Sequence, residues 1–221
     1  TSKGLSDLTE AYLVSMQDLA TSSMRSKLGT LSQELAIVAM GRFGGAELGF
    51  GSDADVMFVY QPTVSDVNIA QAEAQELVSE IRRLCSDQIL EFELDLDLRP
   101  EGKNGPIVRS IDSYASYYER WAGTWESQAL LRARVISGEV SVRNEFVALI
   151  DRYRYPEHME ESAVVEIRRI KARVEVERLP LGADPMRHLK LGRGSISDVE
   201  WLVQLLQLKH GLSNANLQTP H

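Results

Sequence analysis

A chain of 221 residues, 43% hydrophobic and 25% charged, is long enough to bury a full core and has the balance of an ordinary globular protein. Its 24 Lys and Arg against 32 Asp and Glu give a formal charge of −8, which argues against a general nucleic-acid binder, because such a protein needs basic surface to displace counterions. The lone Cys85 excludes an internal disulfide, the four histidines lack paired zinc-ligand spacing, and no apolar run approaches a membrane span or a signal core, so a cytoplasmic protein without membrane attachment is expected. The start at Thr1 without methionine and the abrupt end in Gln218-Thr219-Pro220-His221 suggest an excerpt from a longer protein.

Taken in order, Leu5 to Leu28 reads as a helix with Leu5, Leu8, Tyr12, Met16 and Leu19 on one stripe and Gly29 as its stop. Glu34 to Met40 is a continuously apolar, buried strand. Gly41, Gly44 and Gly45 then permit a tight turn into a short helix whose backbone amides can approach an anion, although a plain strand-to-helix turn explains the same glycines. Ser52-Asp53-Ala54-Asp55 leads into a second apolar strand, Val56 to Tyr60, ended by Pro62. Two residues apart at the head of a strand, Asp53 and Asp55 project from one side, and two carboxylates that close call for a divalent cation; Mg²⁺ suits them, since it takes few carboxylates and completes its octahedron with water and substrate phosphates.

Ser65 or Asp66 caps a long helix to about Leu90, with Ala70, Ala74, Leu77, Ile81, Leu84 and Cys85 facing the core; Cys85 reads as an inert core thiol. From Glu91 to Leu98 the alternation is unbroken, placing Phe92, Leu94, Leu96 and Leu98 on one face and Glu91, Glu93, Asp95 and Asp97 on the other. If this strand lies beside the one carrying Asp53 and Asp55, it adds a third carboxylate, an arrangement that holds two metals, a nucleoside triphosphate and an activated hydroxyl in phosphoryl-transfer chemistry. The loop from Arg99 to Pro106 follows, with Arg99 and Lys103 either reaching triphosphate oxygens or serving as solvated loop charges, and Ile107-Val108 as a short returning strand.

From Ser110 the pattern turns helical. Tyr114, Tyr117, Tyr118 and Trp121 form a stripe expected in a core. A helix from Thr124 carries Leu130, Leu131, Arg132 and Arg134, the arginines serving either phosphate charge or surface ion pairs. Another helix runs from Val142 to Tyr153, and the charged stretch from Ser162 to Leu179 reads as a helix with a solvated face. Ser197 and Glu200 fit a capping box for a last helix ending near Lys209, while Lys190 and Arg193 in Lys-Leu-Gly-Arg-Gly match no Walker loop. The composition shift divides the chain into an N-terminal helix (1–30), an α/β segment (31–110) and a helical segment (111–221).

In this order GRFGGAELGFGSDADVMFVY, LDLDLRPEGKNGP, TWESQALLRAR and KLGRGSISDVEW resemble the glutamine synthetase adenylyltransferase/adenylyl-removing family, over about Glu34 to Gly211. The wording MGRFGGAELGFGSDADV and RRIKARVEVERLPLGADP is similar to the C-terminal, adenylylating domain of actinobacterial members. The resemblance implies an α+β architecture, a DNA-polymerase-β-like nucleotidyltransferase sheet with helices followed by an all-helical bundle. It implies Mg²⁺, two ions, on Asp53, Asp55 and Asp95, with Gly44, Gly45 and Ser52 in the turn that holds the triphosphate of ATP. Asp97 departs from the family, where a basic residue is common two positions after the third aspartate. The implied reaction is transfer of AMP from ATP to a tyrosine hydroxyl of glutamine synthetase with loss of pyrophosphate. A PII-type signalling protein is an implied further partner. The rival readings are a regulatory module that binds nucleotide without chemistry, and a nucleotidyltransferase acting on a small molecule or RNA.

Overall fold

The structure, a computed structural model, describes residues 1–86 and 92–220. Its elements are α1 (Ser2–Leu28), β1 (Gln33–Ala39), α2 (Gly41–Gly44), β2 (Ala54–Pro62), α3 (Val67–Cys85), β3 (Leu94–Asp95), β4 (Val108–Ser110), α4 (Ile111–Trp121), α5 (Thr124–Leu130), β5 (Arg134–Val135), α6 (Val140–Arg154), α7 (Glu161–Glu177) and α8 (Ile196–His210). The chain divides into two compact units, and the first takes Thr1–Trp121, Arg132–Ile150 and Pro220. That unit reaches past residue 110, because α4 is pinned to the sheet: Tyr114 is buried and its hydroxyl donates to Phe58 O at 3.3 Å.

The sheet of this unit is small and mixed. β1 pairs antiparallel with β2 from Gln33↔Pro62 to Ala39↔Val56, and antiparallel with β5 at Val38↔Val135 and Ala39↔Arg134. Along its other edge β2 takes two parallel partners in succession, β3 at Ala54↔Leu94 and Asp55↔Asp95, then β4 from Phe58↔Val108 to Tyr60↔Ser110. β1 and β2 are apolar almost throughout because both faces are covered, and Ile37, Val56 and Phe58 have no exposed surface. α3 supplies part of that cover through Ala70, Ala74, Leu77, Val78, Ile81 and Cys85, with Asp66 as its N-cap, accepting from the amides of Asn68 at 3.0 Å and Ile69 at 3.4 Å. Its expected continuation toward Leu90, like Glu91 of the acidic strand, lies outside the described residues.

Burial pushes the Cys85 thiol up to about 11, so it remains protonated at mildly alkaline pH. A thiol reagent should therefore leave the native protein unlabelled and label it fully in denaturant; rapid native labelling would contradict the packing described.

Two expected packing faces differ in part from the observed ones. In α1 the fully buried positions are Ser6, Leu13, Gln17, Ala20 and Met24; of the expected stripe Leu5, Tyr12 and Met16 pack half-buried against the same core, while Leu8 and Leu19 are 67% and 56% exposed. A polar anchor sets this rotation: Gln17 Nε2 donates to Leu35 O at 2.8 Å, its Oε1 accepts from the Ser137 hydroxyl, and Ser137 Oγ accepts from Ile37 N at 2.9 Å. Trp121 is 72% exposed at the end of α4, leaving Tyr114 and Tyr118 as the buried rings. Among the described residues of the acidic strand, only Leu94 and Asp95 pair in the sheet.

The second unit comprises Ala122–Leu131 and Asp151–Thr219. Its core is Leu131, Tyr155, Ile167 and Leu208, with Met159, Trp201 and Leu205 packed around them. The expected capping box is replaced. Ser195 occupies the N-cap of α8, and the Asp198 carboxylate accepts from Gly194 N at 2.7 Å while pairing with Lys171 of α7, an arrangement that holds Asp198 below the usual carboxylate range. The charged face of α7 is accordingly tied to α8 through Lys171 and to the start of α5 through Glu166, which accepts from the Thr124 hydroxyl. Among the described residues no helix is long and apolar enough to cross a membrane.

Candidate active site

Of the expected site residues, Gly44, Gly45, Ser52, Asp53 and Asp55 lie along the chain between the end of β1 and the start of β2, and Asp95 lies beside Asp55 on β3. β1 closes with Ala39, and Met40 N donates to Asp55 O at 2.9 Å, so the chain entering the glycine turn is bonded to the strand that carries the aspartates. Gly41 has φ +50°, and a Cβ placed there would sit 2.3 Å from Asp55 Oδ2. Glycine is required at this position both by its backbone and by the carboxylate pressed against it. Asp55 is half-buried and faces Asp95 across the parallel β2–β3 pair, about 4.8 Å away in the hydrogen-bonding direction. Ala54 N donates to Glu93 O at 3.1 Å and fixes that register. Asp53 lies one step before β2 and is exposed, and half-buried Ser52 donates its amide to Gly49 O at 3.2 Å.

Asp95 also explains why β3 is short. Its Oδ1 accepts from Asp97 N at 2.7 Å, an Asx turn that bends the chain out of the sheet two residues after the strand begins. Asp97, which the alternation puts on the same face, is carried into the following loop, where its carboxylate lies 3.4 Å from Lys103 Nζ and 4.0 Å from Arg99 Nη1. A cleft of about 430 Å³ opens here, lined in part by Arg82, Glu93, Asp95, Asp97, Arg99 and Lys103.

Arg99 is buried within its own loop. It is 7% exposed, and its guanidinium donates to Leu96 O at 2.6 Å, Lys103 O at 3.3 Å and Gly105 O at 3.1 Å, stitching the loop together. Arg99→Ala should strip the donors from those carbonyls and cost about 2 kcal/mol of stability or more. A urea denaturation midpoint unchanged from wild type would contradict this. Lys103, by contrast, has a side chain 82% exposed.

The glycine turn is bonded within itself. α2 is a single turn, too short to present a macrodipole, and the amides of Gly44 and Gly45 are used within it, donating to Met40 O at 2.7 Å and Gly41 O at 3.1 Å. The glycine at position 44 is demanded by packing: a Cβ there would fall 1.7 Å from Arg132 O and 2.7 Å from Ala39 O. Arg132 and Arg134 are not helical, because α5 stops at Leu130 and Arg134 belongs to β5. Both attach to the turn. Arg132 pairs with Glu47 at 2.8 Å, and Arg134 donates to Gly44 O at 3.1 Å and Phe43 O at 3.4 Å while pairing with Glu10 of α1 at 2.5 Å. The signal for this in the sequence is the Arg-Ala-Arg alternation, a period of two that belongs to a strand.

Among the described residues no three His, Cys, Asp or Glu side chains are gathered into a metal-binding group. The hard oxygen donors of Asp55 and Asp95, on adjacent strands in register, instead fit an ion that accepts one or two carboxylates and takes its remaining ligands from water and phosphates, which is the behaviour of Mg²⁺.

A family model described as glutamate-ammonia ligase adenylyltransferase matches residues 1–148. The chain is 53% identical over 218 residues to a bifunctional glutamine synthetase adenylyltransferase/adenylyl-removing enzyme of Leifsonia xyli, covering 99% of this chain and 21% of the relative. To proteins of the same description it is 52% identical over 221 residues in Streptomyces avermitilis, covering 97% of this chain and 22% of the relative, and 47% identical over 214 residues in Mycobacterium avium, covering 92% and 21%. It thus spans about a fifth of the length of these curated relatives. With two thirds of its residues inside the family model and about half of them identical to those of these relatives, the chain belongs to the glutamate-ammonia ligase adenylyltransferase family.

Proposed function

We propose that this chain is the nucleotide-handling part of an adenylyltransferase that moves AMP from ATP to a tyrosine hydroxyl of glutamine synthetase, with pyrophosphate as the second product. The observation that carries the reading is the Asp55↔Asp95 pairing beside Gly41, a pair of acids on adjacent strands at the edge of a sheet and two residues on from Asp53, in a chain of this family. The mixed sheet with flanking helices is compatible with a DNA-polymerase-β-like nucleotidyltransferase core, followed by helices from about residue 111.

In this reading Asp53, Asp55 and Asp95 hold Mg²⁺, two ions, and Asp95 rather than Asp97 is the third carboxylate, because Asp95 is in register with Asp55 whereas Asp97 is committed to the loop cations. Bound there, the metal supplies charge neutralisation and lowers the pKa of the attacking hydroxyl. The chain's own residues do the rest. Ser52 and Lys103 offer donors to the triphosphate, Gly44 and Gly45 shape the turn from which Ser52 follows, and Arg99 holds the loop that presents Lys103. In-line attack on the α-phosphorus breaks its bond to the bridging oxygen, so pyrophosphate leaves as the tyrosine ester forms and the phenolic proton passes to solvent or to Asp95. A PII-type regulator and a cytoplasmic setting complete the proposal for the longer protein.

The test is product identity. With ATP, Mg²⁺ and glutamine synthetase, pyrophosphate should appear, and it should cease when any one component is omitted. Release of orthophosphate in its place would mean a different cleavage and overturn the reading. Pyrophosphate release independent of glutamine synthetase would point to another acceptor.

A further inference from the structure

The contacts of Arg134 set it apart from the other arginines of the chain. Its backbone lies beside Ala39, the last residue of β1, and its side chain turns onto the two carbonyls, Phe43 O and Gly44 O, at the C-terminal end of α2. Phe43 O also accepts from Ala46 N at 3.1 Å, and a guanidinium fork is the group suited to reach both carbonyls at once. Glu10 of α1 holds the third corner of the fork. The other end of the same turn is Gly41, against the Asp55 carboxylate. A single side chain therefore links α1, β5 and the segment that abuts Asp55.

From this geometry, and resting on the adenylyl-transfer reading above, we infer that Arg134 is a positioning residue for the transfer: by clamping the Phe43 and Gly44 carbonyls it fixes the glycine turn, and through Gly41 the place of the Asp55 carboxylate. Glu10 orients the guanidinium and has no role of its own at the reacting atoms. Arg132 anchors the far side of the turn through Glu47.

The test compares Arg134→Gln, Arg134→Lys and Glu10→Gln in the longest form of the protein that transfers AMP, with kinetic constants referred to folded protein. Displacement of a reacting group by a fraction of an ångström lowers kcat far more than it alters nucleotide binding, so Arg134→Gln should lose roughly tenfold to a hundredfold in kcat with KM for ATP changed by less than about threefold. Arg134→Lys keeps the charge without the fork and should recover only part of the loss, and Glu10→Gln should fall between Arg134→Lys and wild type. Amide hydrogen exchange gives a readout independent of activity: the Gly44 and Gly45 amides should exchange faster in Arg134→Gln, while Ile37 and Val38 in the middle of β1 stay protected. Unchanged kcat together with unchanged exchange at Gly44 and Gly45 would overturn the inference even if wild type transfers AMP normally. Absence of transfer in wild type would overturn the underlying reading, and faster exchange confined to the turn would then mark Arg134 as a structural clamp only.

Discussion

Replacement of Asp55 by asparagine should lower AMP transfer about a thousandfold while leaving the melting temperature within a few degrees of wild type. The amide is nearly isosteric with the carboxylate, and the backbone bond from Met40 N to Asp55 O at 2.9 Å is untouched, so the entry to the glycine turn is preserved. What disappears is the negative charge between Gly41 and Asp95, the charge a cation needs. Loss of charge stabilisation of this kind corresponds to about 4 kcal/mol at the transition state. Asp95→Asn should behave similarly, although its side chain also accepts from Asp97 N, so some loss of loop order accompanies it. Asp97→Asn should cost far less, because that carboxylate faces Lys103 and Arg99. Initial rates of transfer for the three variants, together with circular-dichroism melts, decide the matter. Equal losses at positions 95 and 97 would contradict the assignment of Asp95.

Gly44→Ala is expected to be the most damaging small substitution in the sheet unit. Its Cβ would fall 1.7 Å from Arg132 O and 2.7 Å from Ala39 O, both backbone atoms of paired strands or their approaches, so neither can yield without disturbing the β1–β5 pairing. Overpacking against backbone costs about 3 kcal/mol or more. In a chain of this size that lowers the melting temperature on the order of 10 °C. Gly4→Ala is the control. That residue lies in α1 with open space around it, and alanine there should add about 0.5 kcal/mol. A Gly44→Ala protein that melts with wild type would mean the approach of Arg132 to the turn is wrong, and the role given to Arg134 would fall with it.

Much of this arrangement is written in local pattern. The apolar runs at β1 and β2, the Asp-x-Asp step and the aspartate cap of α3 are short-range features, and short-range chemistry decides them. The neighbourhood of Asp95 to Asp55 is legible as well, since the apolar alternation around Leu94 marks a strand. Its extent is not. The alternation continues to Leu98, and only the capture of the Asp97 amide by Asp95 tells where the strand stops.

Long-range partners account for the remaining differences. Nothing local shows that Gln17 is met by Leu35 and Ser137, so periodicity places Leu5, Tyr12 and Met16 against the core but passes over Gln17 and includes the exposed Leu8 and Leu19. The carbonyls of Leu96, Lys103 and Gly105 that close around Arg99 are likewise brought to it only by the folded loop. The glycines at 41 and 44 are conspicuous in the sequence, yet their reasons, a carboxylate at one and a backbone carbonyl at the other, come from residues 14 and 88 positions away.

Adenylyl transfer at the acidic edge of this sheet leaves a label on its acceptor. The direct measurement is label transfer to purified glutamine synthetase from Mg·ATP carrying the label on the α- or the γ-phosphorus, with wild type and Asp53→Asn side by side. Incorporation of the α-label alone, located on a tyrosine and lost in Asp53→Asn, is the result predicted. Incorporation of the γ-label, or α-label transfer undiminished in Asp53→Asn, would contradict it.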